Sequence, residues 1–300
     1  MSPLAISLVL AAALIHASWN LLVKQAGGDV RFALMTSTAV AVFWAPVGLW
    51  FSWQEVHGYG VLQWGLIVAS GAVHVVYYVL LLRGYRSGDL SVVYPLARGS
   101  GPLLTAAVAS ILLGESLGAL GWAGVAAVVG GIVLIAGGRR LWRTLRATDV
   151  SLDYARLRAG VGYGLATGVF IAGYSVIDGY AVKRAGISPI AIDYLGTIVR
   201  VPLTALWIAA LALREPMPLA SYWRPMLRPA LIVAAISPVA YVMVLYAVTL
   251  APLSQVAPAR EVSMLFAALL GGTLLREKDM VWRVLGAGLI ASGVIALALA

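Results

Sequence analysis

Three arginines and three acids lie inside long apolar stretches of the chain: Arg98, Arg200 and Arg260, with Asp178, Asp193 and Glu261. Each is costly in hydrocarbon and needs a partner, a wet cavity or a function. A guanidinium in that setting suits two jobs. It can hold a substrate carboxylate through its planar fork, or it can lock helices together by pairing with an acid or a backbone carbonyl. For Arg98 and Arg260 both readings stand, with Glu261 or Asp178 as the partner in the second, and all four are expected to line a central cavity.

Polar and aromatic residues recur around these charges at helical spacing. His74, Tyr77, Tyr78 and Leu81 share one helix face, and Ser91, Tyr94, Pro95 and Arg98 share another. Thr167, Phe170, Tyr174 and Asp178 line up in the same way, as do Ser237, Tyr241 and Val244. Together they predict an apolar, aromatic wall with a few hydrogen-bonding tips, the chemistry of a small-molecule pocket. Tyr78, Tyr94 and Tyr241 lie several residues from a helix end and are placed in the cavity. Trp50, Trp53, Trp142 and Trp223 read as an interfacial belt.

His16, Trp19 and Asn20 share a face that should border the cavity. Asn20 is the sole asparagine of the chain, and an amide in hydrocarbon is expected to bond across to another helix. His16 or His74 has the chemistry to relay a proton, a plain hydrogen-bonding role being the alternative, so proton coupling stays open. Pro95 and Pro258, each near an arginine, are candidate hinges. With no Cys and three His, no metal site or cofactor is expected, and there is no phosphate-binding GxxxxGK loop.

The elements that must position these groups follow from composition. Of 300 residues, 62% are hydrophobic and 11% charged, where a soluble domain carries about 25% charged residues. The chain reads as an all-α integral membrane protein. Ten segments are long enough to span a bilayer: roughly 4–23, 32–52, 61–82, 90–113, 119–137, 159–182, 188–212, 229–250, 254–275 and 281–299. The first lacks a positive leader and is read as an uncleaved helix. A basic, polar linker over 138–158 divides the chain into a first unit, 1–137, and a second, 159–300.

Sixteen lysines and arginines fall in the odd-numbered connections, and Lys183 and Arg184 alone in the even ones. This bias makes the odd connections cytoplasmic and both termini extracytoplasmic. It also accounts for the net charge of +9 without a nucleic-acid partner. Arg139, Arg140, Arg143 and Arg146 around Trp142 suit an anchor at an anionic bilayer surface.

The two units repeat one another. Ser91, Pro95, Arg98, Glu115, Gly124 and Gly131 recur as Ser254, Pro258, Arg260, Glu277, Gly286 and Gly293. Lys24 recurs as Lys183, and His74 and Tyr78 align with Ser237 and Tyr241. Five spans per copy place the second upside down relative to the first, with a site near the midplane between them. The glycine pairs predict close helix contacts.

The chain resembles the drug/metabolite transporter superfamily in its ten-helix EamA-type branch, over nearly its whole length. The residues that carry the resemblance are the duplicated five-helix unit, HASWNLLVK at 16–24, GDLSVVYPLARG at 88–99, and the Leu-Gly-Glu and Leu-Arg-Glu ends at 113–115 and 275–277. The resemblance implies a basket of helices around a central cavity, alternating access without ATP, and a place in the cell (inner) membrane. It implies a secondary exporter or facilitator of small metabolites, amino acids foremost, the aromatic amino-acid exporters being the group whose cavities suit these aromatics. A multidrug or phosphorylated-sugar carrier is the alternative within the fold. From another class, a membrane-embedded enzyme acting on a lipid-linked substrate would need a metal cluster, a carboxylate pair or a nucleophile with its base. The acids here are scattered, and the chain is read as a non-enzyme. Its expected partners are a small-molecule substrate and the bilayer, and it is expected to work as a monomer.

Overall fold

The computed structural model describes residues 1–26, 29–88, 90–136, 152–213, 219–266 and 280–300, and all regular structure there is helical. The helices are α1 (Pro3–Ala26), α2 (Val30–Phe43), α3 (Ala45–Val56), α4 (Val61–Ser87), α5 (Leu90–Leu112) and α6 (Ala119–Ala136) in the first unit. The second holds α7 (Leu152–Lys183), α8 (Pro189–Ala212), α9 (Leu219–Leu250), α10 (Leu253–Ala259) and α11 (Met280–Leu299).

Two of the expected continuous spans are broken. The second divides at Trp44 into α2 and α3, bent by 69°. Pro46 in the first turn of α3 is the local cause, since it has no N–H to bond the Val42 carbonyl four residues back and its ring crowds that carbonyl. Trp44 also donates its indole N–H to the Ala234 carbonyl at 3.0 Å, which pins the corner to α9. The ninth expected span breaks after α10, at Arg260 and Glu261, before a helical turn over 262–266. The sixth and eighth begin earlier than expected, at Leu152 and Leu219. The start of α7 is therefore helical within the expected linker. Trp142 and its flanking arginines lie outside the described residues, as does Glu277.

Packing repeats under exchange of the two units. α1 packs on α9 as α7 packs on α4, α2 on α9 as α8 on α4, and α5 on α6 as α10 on α11. Three contacts, α2 with α8, α5 with α10 and α6 with α11, pair an element with its own repeat. The Met1 ammonium donates to the Ala298 carbonyl at 2.8 Å, so the termini share one side. Trp50 and Trp53 are 67% and 70% exposed, as a lipid-facing belt requires.

The α6–α11 contact is built by the repeated glycines. A Cβ on Gly131 would sit 2.5 Å from the Gly286 carbonyl oxygen, and one on Gly124 would sit 2.8 Å from that of Gly293. The reciprocal approaches are 2.7 Å each. Only hydrogen fits between these backbones, as in small-residue helix contacts generally. Gly131→Ala is expected to destabilise the protein by about 1–3 kcal/mol through overpacking. An unchanged thermal midpoint in detergent would show that the two helices do not approach this closely.

Candidate functional site

Between the two units lies a cavity of about 320 Å³, at the small end of ligand sites, which run from about 300 to 1,000 Å³. The middles of α8 and α9 line it, together with the ends of α1, α2, α4 and α5 nearer the odd-numbered connections. His16, Trp19 and Asn20 line one wall, and His74, Tyr77 and Tyr78 line another. Tyr94 and Arg98 of α5, Tyr174 of α7, Ser237 and Tyr241 of α9, and Arg260 complete the set brought together there.

Four rings form a cluster. His74 stacks on Tyr174 with centroids 4.0 Å apart, Tyr77 lies 5.5 Å from Tyr174, and Tyr241 stands edge-on to His74 at 5.9 Å. His74 Nδ1 lies 2.9 Å from the Ser70 carbonyl one turn back, so that nitrogen carries the proton and donates. The Tyr78 hydroxyl donates to the Asp29 carbonyl at 3.3 Å, and that of Tyr94 to Met264 Sδ at 3.2 Å.

Two expected lining residues stand behind the wall instead. Glu261 is 0% and Asp178 1% exposed. The break after α10 turns Glu261 away from the cavity and toward Arg98, whose Nη2 lies 2.8 Å from Oε2, while Arg260 Nε lies 3.6 Å from Oε1. One carboxylate thus serves two guanidiniums, and neither of its oxygens has an aligned hydrogen-bond donor among the described residues. On α7, Tyr174 reaches the cavity while Thr167 bonds its own helix at Tyr163 and Asp178 accepts from the Tyr241 hydroxyl. Asn20 also differs from expectation. Its amide donates to the His16 carbonyl at 2.8 Å, within α1, and among the described residues the side chain makes no interhelical bond from the cavity wall. The helix α5 runs unbroken through Pro95, whereas Pro258 sits immediately before the break at Arg260. Ser91 lies outside the residues whose side chains are described.

A polar face of α8 was absent from the expected site. Asp193, Thr197, Arg200 and Thr204 all line the cavity. Arg200 donates to Asp193 Oδ1 at 3.1 Å and to the Thr197 hydroxyl. Their spacing of four, three and four residues marks a single helix face, the signal from which they were legible.

The side of the even-numbered connections is closed by hydrogen bonds. Glu115, just past α5, accepts from Lys183 Nζ at 2.7 Å and from the backbone N–H groups of Leu253 and Ser254 at 2.9 and 2.8 Å. Arg184 donates to the Leu113 carbonyl at 3.2 Å, and Glu55 accepts from the Ser188 N–H at 3.0 Å. Burial by itself would raise the Glu115 pKa, but Lys183 and the two N–H donors outweigh it and hold the carboxyl below its ordinary range. A carboxylate lowered on folding stabilises above its unfolded pKa, and that contribution is lost as pH falls through the lowered value. The thermal-midpoint gap between wild type and Glu115→Gln is therefore expected to be full at neutral pH and to close in acid. A gap indifferent to pH would contradict the pairing.

Fold and cavity together define a class: a multi-pass helical membrane protein made of two inverted five-helix repeats around a central cavity. The model of the EamA-like transporter family matches residues 3–137 and 158–299, one match in each half, and the chain belongs to that family. A solved structure titled "Crystal structure of protein" has the same fold, with a TM-score of 0.73 and 18% identity over 98% of this chain and 96% of that one. No curated protein matches the chain.

Proposed function

We propose that the protein is a secondary transporter of small amphipathic metabolites that carry a carboxylate, amino acids foremost, working by alternating access across the cell's inner membrane. The observation that supports this reading is the set of cavity-lining polar atoms without a partner. Among the described residues they are Trp19 Nε1, Arg98 Nε, Arg200 Nε and the Thr36 hydroxyl. Three are donors outright and the fourth is able to donate, so the wall asks for an acceptor. Arginine supplies the charge, and Arg260 shares its carboxylate with Arg98. The ring cluster of His74, Tyr77, Tyr174 and Tyr241 offers an apolar surface for the remainder of such a molecule.

In this reading the Glu115–Lys183 clasp holds the even-numbered side shut while the cavity faces the odd-numbered side, which the lysine and arginine bias assigns to the cytoplasm. The linker over 138–158 then lies on the cytoplasmic surface, both termini lie outside, and one copy suffices. The protein moves its substrate without covalent chemistry. Uptake of radiolabelled amino acids into proteoliposomes tests the proposal. Flux that a carboxylate-free amine fails to compete is expected; inertness toward every amino acid together with flux of a cationic dye would replace this reading with a multidrug carrier.

A further inference from the structure

Two side chains of α1 present the cavity with acceptors. Asn20 spends its amide N–H on the His16 carbonyl at 2.8 Å. The reversed amide would set two oxygens against each other, so the carbonyl oxygen is the end turned to the cavity. No donor reaches that oxygen among the described residues. His16, one turn away, also lines the cavity, with Trp19 edge-on to its ring at 4.8 Å. Neither ring nitrogen has a hydrogen-bond partner among the described residues, and a neutral imidazole offers one of the two as an acceptor.

These acceptors sit beside the arginines that suit a carboxylate. The charges that act on His16 are those of Arg98 and Arg260, and all three residues line the same cavity. Measured at about 1.5 Å per residue from the helix ends facing the odd-numbered connections, Arg98 lies about 12 Å in, between Asn20 at about 9 Å and His16 at about 15 Å. In an α-amino acid the ammonium and the carboxylate share one carbon, so a carboxylate on the arginines brings its ammonium to the neighbouring wall. Acceptors without formal charge suit that place. A carboxylate side chain there would pair with Arg98 or Arg260 and close the anion site, whereas an imidazole nitrogen and an amide oxygen leave both available. Asp193, the acid among the lining residues described, is already paired with Arg200 at 3.1 Å.

We propose that His16 and Asn20 form an ammonium subsite, by which the carrier selects α-amino acids over carboxylates that lack the amine. The inference rests on the carrier reading given above. His16 accepts one N–H of the ammonium through a ring nitrogen and Asn20 accepts a second through Oδ1, while the arginines hold the carboxylate. A lone amine gains little here, because two guanidiniums repel it unless it brings a carboxylate of its own.

Calorimetric binding to the folded protein in detergent tests the subsite with matched pairs. These are phenylalanine with hydrocinnamate and leucine with isocaproate, each acid being its partner without the ammonium. Wild type is expected to prefer the amino acid of each pair by roughly 10- to 100-fold, the range for a hydrogen bond to a charged group. Asn20→Leu and His16→Phe should each lower that preference by roughly 10-fold while binding the deaminated acids as wild type does. His16→Gln, which keeps an acceptor, should retain part of it. Equal wild-type affinity within each pair overturns the subsite and leaves the carboxylate reading intact. A preference that survives both Asn20→Leu and His16→Phe, or that falls in Asp193→Asn alone, overturns it as well. Binding of neither member of either pair removes the subsite and the amino-acid reading together.

Discussion

Glu261→Ala is expected to be the most damaging single substitution in the membrane core. The side chain is fully buried and stands between Arg98 and Arg260, the sole acid paired with either among the described residues. Removing it leaves two guanidiniums facing each other in a low-dielectric interior. Deleting one member of a buried ion pair costs about 3–5 kcal/mol because the remaining charge is stranded, and here two are stranded. The expected outcome is a large fall in the thermal midpoint and in yield of folded protein, measured in detergent. Glu261→Gln retains shape without charge and should recover little. Adding Arg260→Gln to Glu261→Gln leaves a single unpaired arginine instead of two and should recover part of the loss. If the double variant is no more stable than Glu261→Gln, the shared carboxylate is not what holds the pair.

Arg260→Gln alone should behave in the opposite way, sparing the fold and losing the ligand. Glu261 keeps its shorter contact with Arg98 when Arg260 is neutralised, so no charge is stranded. The guanidinium lost is one that reaches the cavity wall. A hydrogen bond to a charged group contributes about 1.5–3 kcal/mol, so affinity for a carboxylate ligand should fall roughly 10- to 100-fold. Arg260→Lys restores charge without the fork and should return part of that affinity. Equal binding by wild type and Arg260→Gln, measured calorimetrically on folded protein, would assign Arg260 a purely structural role.

The architecture was largely legible in the sequence because the repeat survives in residues that composition does not supply cheaply. Pro, Arg, Glu and Gly at matched positions stand out in an apolar chain, and the two glycine pairs meet crosswise between α6 and α11, Gly124 on Gly293 and Gly131 on Gly286. The aromatic wall was legible for a related reason, since a tyrosine in mid-helix has few uses other than a cavity. The breaks were harder. Pro46 gives a reason for the corner at Trp44, but nothing at Arg260 and Glu261 besides the nearby Pro258 announces that the helix stops there. For that reason Glu261 was expected on the cavity wall, when the turn sends it behind to Arg98. The α8 face went unassigned because its charges have no counterpart in α2 and so were not drawn out by the repeat. Its own spacing carried the information.

The central claim is that the cavity recognises a carboxylate presented beside an apolar or aromatic body. It is tested most directly by thermal unfolding of the purified protein with phenylalanine and, separately, with phenethylamine, the same molecule lacking the carboxylate. A ligand that binds the folded state alone raises the midpoint in proportion to its affinity. The account predicts a concentration-dependent rise with phenylalanine, none with phenethylamine, and loss of the rise in Arg260→Gln. A rise with phenethylamine equal to or larger than that with phenylalanine would contradict it.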